Sequence, residues 1–291
     1  MIPKEVLRNI RRIQITTSRL VTDVFAGQYH SVFKGMGMEF DEVRVYQPGD
    51  EIRSIDWNVT ARTGSPHVKK FVEERELTVM LLLDMSLSCR FGTHRKFKSQ
   101  LAAELCSVFA LSAVKNNDKV GFIAFTDRIE KFVPPRKGVR HVLRVIREAL
   151  YLKAKGTGTD INSVVEYLNR VLKRRAVVFI ISDFYAANYK KALSIANKRH
   201  DVIAVTITDP RETELPDVGI IRLDDAESGK GYMVDTSDRS LRQEYKKNSL
   251  RVFDERKRLF SSVNVDNIEI RTDIPYSKSL IKFFKMRERR R

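Results

Sequence analysis

Four short stretches of this chain are apolar almost from end to end: Leu77–Leu83, Val120–Phe125, Ala176–Ile181 and Val202–Ile207. A strand with apolar residues on both faces must be covered on both. Between these runs lie segments with apolar residues at helical spacing: Phe97–Val114, Val139–Leu150, Ile161–Leu172 and Tyr189–Lys198. Covered strands alternating with helices predict an α/β fold, a mostly parallel sheet flanked by helices on both faces.

The rest of the chain is less regular. Residues 3–25 read as a helix with Pro3 in its first turn. Residues 27–37 form a loop with three glycines, Glu39–Tyr46 a short strand, and Gln47-Pro48-Gly49-Asp50 a turn. Residues 51–76 read as short irregular pieces around the single tryptophan, Trp57. Past Asp209-Pro210 come a strand pair, Ile220–Leu223 and Tyr232–Val234, then helix Arg239–Ser261, strand Val265–Ile270 and helix Ser277–Met286. The change of pattern at Leu77 divides the chain into an N-terminal region, 1–76, packed on a main domain, 77–291. Trp57, Phe33 and Phe40 are expected in a small core of the first region, or on a docking surface.

The chain has 291 residues, 42% of them hydrophobic, enough to bury a sizeable core and to exclude disorder as a global reading. Its formal charge is +17, which favours acidic partners. The excess gathers in Arg136–Lys155, in Arg170–Arg175 and in the last fourteen residues. Solvated helix faces account for such clusters, and no zinc-finger spacing or aromatic-basic interleaving argues for nucleic acid. No stretch reaches the roughly 18 uncharged apolar residues of a membrane span. Early charges at Lys4, Glu5, Arg8, Arg11 and Arg12 do not suit a secretory signal, so the cytoplasm is the expected location. The two cysteines, Cys89 and Cys106, are expected as free structural thiols.

In a parallel sheet, ligands sit beyond the carboxyl ends of the strands. Two buried runs end in carboxylates, at Asp84 and at Ser182-Asp183. Asp84 opens a D-x-S-x-S loop, Asp84-Met85-Ser86-Leu87-Ser88, in which alternate hydroxyls point to one side. A glycine loop, Gly156-Thr157-Gly158-Thr159-Asp160, precedes a helix and can bring Thr159 close. Two carboxylates and three hydroxyls form a hard oxygen donor set suited to Mg²⁺, Mn²⁺ or Ca²⁺. Ser and Asp after a strand are also ordinary helix caps; the joint occurrence in this order is what singles out the site.

The set Asp84, Ser86, Ser88, Thr159 and Asp183 resembles the metal-ion-dependent adhesion site (MIDAS) of von Willebrand factor A domains. The segments Ser31–Gly37, Glu39–Arg44, Tyr46, Pro48-Gly49-Asp50, Ile52-Arg53, Ile55–Asn58 and Ala61-Arg62 resemble the signature of bacterial domain-of-unknown-function family 58. Members of that family carry an A-type domain and are often encoded beside MoxR-type AAA+ ATPases. The resemblance implies a von Willebrand factor A-like fold with Ser86, Ser88 and Thr159 on the metal and Asp84 and Asp183 acting closely, often through water. It also implies an open position for a carboxylate of a partner, with a MoxR-type ATPase as that partner. Many A domains carry glycine in the first loop where this chain has Met85 and Leu87.

Enzyme signatures are missing. There is no P-loop, no G-x-S-x-G elbow and no H-E-x-x-H. A metal-dependent phosphoester hydrolase is the enzymatic alternative. The five histidines, His30, His67, His94, His141 and His200, are expected as surface or structural residues, with His94 and Arg90 near enough to the first loop to approach it. Asp127 is expected as a hairpin turn residue.

Overall fold

The computed structural model describes residues 38–73, 77–94, 96–225 and 229–290, with the side chains of 38–42 and 70–73 left out of that description. The expected helix over 3–25, the glycine loop of 27–37 and the surroundings of Phe33 and Phe40 lie outside the described residues. The chain divides into two compact units, Phe33–Leu77 and the remainder.

In the small unit, β1 (Met38–Val45) pairs antiparallel with β2 (His67–Glu73) across an irregularity between Phe40 and Glu42. Helix α1 (Trp57–Thr63) lies between them in sequence. Its start is fixed by Asp56, whose carboxylate accepts from the Asn58 and Val59 amides, and its end by Gly64 at φ +72°. Asp50 in the turn after β1 takes a two-pronged bond from Arg44, at 2.6 and 2.8 Å. Residues 51–73 are thus more ordered than their sequence suggests. Trp57 is 67% exposed and is not a core residue of this unit, contrary to the first expectation for it.

The large unit is built on a six-stranded sheet in the order β10-β7-β6-β3-β4-β5. Its strands are β3 (Thr78–Asp84), β4 (Lys119–Phe125), β5 (Ile129–Arg136), β6 (Val177–Ser182), β7 (Asp201–Thr208) and β10 (Asp266–Arg271). All pairs are parallel except β4 with β5. The four apolar runs become the four inner strands, which is why they carry no alternation. The edges read differently. β10 buries only Ile268 and Ile270, two residues apart, and β5 ends in Pro134-Pro135-Arg136, where missing amide donors are tolerated.

Helices cover both faces. Those between the inner strands are α2 (Lys98–Lys115), α3 (Val139–Tyr151), α4 (Ile161–Val171) and α5 (Lys190–Arg199). On one face Met80, Leu82, Val178, Ile180, Val202 and Ala204 pack with α4 and α5 through Ile161, Val164, Leu168 and Leu193. On the other, α2 stacks Phe109 on Phe179 of β6 with ring centroids 4.1 Å apart. α2 is buried nearly all round, which explains an apolar sequence with little sidedness. A two-stranded ribbon follows, β8 (Ile220–Asp224) with β9 (Gly231–Asp235), then α6 (Arg239–Ser262) and, after β10, α7 (Tyr276–Arg289). Among the described residues no helix is long and apolar enough to cross a membrane.

Candidate metal centre

From β3 the chain crosses to β4 on one side, while β6 and β7 extend the sheet on the other. The carboxyl ends of β3 and β6 therefore flank the switch point, where a crevice opens because the connections leave in opposite directions. The register pairs Leu83 with Ile181 and sets Asp84 beside Ser182.

Asp84 is buried and its orientation is fixed at both oxygens. The Ser86 amide donates to Oδ1 at 2.9 Å, and the Ser182 hydroxyl donates to Oδ2 at 2.5 Å. Burial raises the Asp84 pKa, and the neighbouring Asp183 charge raises it further. Beyond Asp84 the loop makes one turn of 3-10 helix, Leu87–Arg90. The Ser86 and Ser88 hydroxyl oxygens lie 3.0 Å apart. The Leu87 amide donates to the Thr157 carbonyl at 3.0 Å, which ties the first loop to the glycine loop. That loop is held on its other side by Glu130, which accepts from the Lys155 and Gly156 amides at 3.0 and 2.7 Å. Gly156 is obligatory there, because a Cβ would collide with the side chains of Thr126 and Asp127. Asp160 caps α4 through the Ser163 amide at 2.9 Å. The Thr159 hydroxyl oxygen is buried and has no hydrogen-bond partner among the described residues.

Asp183 is fully buried. Its Oδ1 accepts from the Tyr185 amide at 3.2 Å, its Oδ2 from the Lys98 ammonium at 2.8 Å, and its carbonyl from Arg256 at 2.7 Å. Lys98 also pairs with Glu212. Burial works against its charge, but Asp183 and Glu212 outweigh it and the ammonium is held charged. The ligand atoms of Asp84, Asp183 and Cys89 lie within 4.8 Å of one another. Burial, followed by the two carboxylates, pushes the Cys89 thiol well up and keeps it protonated.

The structure thus gathers Asp84, Ser86, Ser88 and Asp183 at the ends of β3 and β6 and ties the Thr159 loop to them. This donor set fits a small divalent cation. The Ser86 and Ser88 hydroxyls are hydrogen-bonded to each other at 3.0 Å, which keeps both oxygens on the same side of the loop. An orphaned buried hydroxyl at Thr159 is what a coordinating oxygen looks like without its ion. A cleft of about 530 Å³ is lined by Asp84 and Ser86 together with Arg90, Lys96, Ser99 and Glu104; Ser88, Thr159 and Asp183 do not line it. His94 is exposed, and Asp127 sits in a turn with Arg128. His141 donates to or accepts from nothing in the site; its Nε2 meets the Val120 carbonyl at 2.9 Å.

Three residues of this centre escape sequence reasoning, Lys98, Glu212 and Arg256, and Ser182, though visible at its strand end, shows no role there in the sequence. Glu212 leaves a trace, since Asp209-Pro210-Arg211-Glu212 closes a capping box in which the Asp209 amide donates to Glu212 at 2.8 Å. Lys98 leaves a fainter one. It is a cation in the first turn of an apolar helix, where acidic residues are favoured.

A sheet of this order, with oxygen-bearing loops at the switch point, defines the class: an α/β protein with a mostly parallel central sheet flanked by helices. Within that class, the chain belongs to the family described as protein of unknown function DUF58, whose model matches residues 42–254. Among its relatives is the uncharacterised protein Rv1480 of Mycobacterium tuberculosis, 31% identical over 285 residues, covering 96% of this chain and 89% of that protein. Of solved structures, BatB from Bacteroides thetaiotaomicron is 17% identical with a TM-score of 0.47, covering 73% of this chain and 99% of that chain. The SpRpn10 VWA domain is 11% identical with a TM-score of 0.37, covering 70% and 94%.

Proposed function

We propose that this chain is a protein-interaction module that binds a divalent cation, Mg²⁺, Mn²⁺ or Ca²⁺, and through it an acidic residue of a partner protein. The hydroxyls of Ser86, Ser88 and Thr159 would hold the ion, with Asp84 and Asp183 behind them. The observation that carries the reading is the buried Thr159 hydroxyl, without a hydrogen-bond partner among the described residues, in the loop tied to the Asp84–Ser88 loop. When bound, the cation supplies a Lewis-acidic position for the partner's carboxylate. The protein's own part is to aim neutral oxygens at the ion while Ser182 and the Ser86 amide hold Asp84 still. The net charge of +17 raises the encounter rate with an acidic surface.

The partner we assign is a MoxR-type AAA+ ATPase, met in the cytoplasm, and the process is assembly or activation of other protein complexes. This partner is the one that the resemblance to family 58 implies, since its members are often encoded beside such ATPases. The test is capture of a purified MoxR-type ATPase by wild type and by Asp84→Ala, each with Mg²⁺ and with EDTA. Binding lost on chelation and in the variant is the expected result. Binding unchanged in both overturns the reading. Turnover of generic phosphoesters with Mn²⁺ that vanishes in Asp84→Ala and Asp183→Ala would put the hydrolase reading in its place.

A further inference from the structure

The Lys98 side chain is 1% exposed, an unusual state for an ammonium. It reaches Asp183 at 2.8 Å and also binds Glu212, and its Nζ lies 5.9 Å from the Phe91 ring centre and 5.7 Å from that of Tyr185. Glu212 is in turn fixed by the Asp209 amide. Asp209 also accepts from the Thr93 amide and hydroxyl and from the Thr272 hydroxyl, so both ends of the lysine's surroundings are anchored.

One oxygen of a proposed metal-site carboxylate is therefore already engaged by a positive charge belonging to the chain. A divalent ion that Asp183 reaches through one water would stand roughly 5–7 Å from this ammonium, given bonds of about 2.1 Å from ion to oxygen. Two cations at that separation inside a poorly screened site repel strongly. We propose that Lys98 is a built-in cation that competes with the divalent ion for Asp183 and so sets the affinity of the site. The inference rests on the metal-binding reading above. Glu212 acts as counterweight: by drawing on the ammonium, it loosens the lysine's hold on Asp183.

The experiment is titration of full-length wild type, Lys98→Met and Glu212→Gln with Mn²⁺ alone, following unbound ion by electron paramagnetic resonance and folding by circular dichroism. Lys98→Met should bind Mn²⁺ about tenfold more tightly. Glu212→Gln, which leaves the ammonium to Asp183, should bind about threefold more weakly. Binding by Lys98→Met but not by wild type would support the inference in its extreme form. Wild-type binding left unchanged or weakened by Lys98→Met, or unchanged or tightened by Glu212→Gln, overturns it and leaves the metal reading standing. Mn²⁺ bound by none of the three folded proteins sinks the metal reading and this inference with it. Should Lys98→Met not fold, Glu212→Gln decides alone.

Discussion

Ser182 shows how much one hydroxyl can organise. It donates to Asp84 at 2.5 Å and accepts from the Phe184 amide at 2.9 Å, both inside the protein. Ser182→Ala removes a donor from a buried carboxylate and an acceptor from a buried amide. Such losses cost about 1–3 kcal/mol each. The variant should lose about 2–4 kcal/mol in urea unfolding, and the loss should persist in EDTA because the bonds are internal. At this scale, legibility follows locality. Asp84, Ser86 and Ser88 share one five-residue pattern, and Asp183 closes an apolar run, so a reader of sequence meets them. Lys98 stands in an unremarkable Lys-Phe-Lys-Ser stretch. Its partners lie 85 and 114 residues away, and nothing local encodes its burial.

At the scale of elements, the joint between α5 and β7 carries a pH dependence. His200 ends α5, is 2% exposed, and neither of its ring nitrogens has a partner among the described residues. Burial, helped by Arg199 and Arg175, pushes its pKa down from 6.5 to about 4. Between those values the unfolded chain holds a proton that the folded chain does not. Stability contributed by neutral His200 is thus complete above pH 6.5 and drains away as pH falls toward 4, to a total of about 3 kcal/mol. His200→Phe should flatten that acid limb in denaturation curves at pH 4.5 and 7, while a limb of unchanged slope would place the sensitivity elsewhere. Inner strands declare themselves in sequence because both faces are covered. β2 does not, since Lys69 and Lys70 interrupt its apolar pattern, and its pairing with β1 lies some 30 residues back along the chain. Helix α1 was hidden by its seven-residue length, though Asp56 and Gly64 mark its limits.

Across the whole molecule, protection against solvent should be uneven. β3, β4, β6 and β7 are buried almost throughout, whereas the β8–β9 ribbon leaves Ile220 68% and Met233 70% exposed. A two-stranded ribbon alone is marginal in water. Native-state hydrogen exchange should find the slowest amides in those four strands, and ribbon amides should exchange at far lower opening free energies. Uniform protection across both would contradict this division.

Arg256 and Thr272 carry a consequence for biosynthesis. The first grips the Asp183 carbonyl, and the second joins Thr93 on the Asp209 carboxylate. A nascent chain that has emerged only through Asp209, the residue after β7, already possesses both aspartates, yet lacks the late residues that brace them. The centre is consequently completed near the end of translation, and a polypeptide truncated before Arg256 would present two acidic strand ends without their clasp.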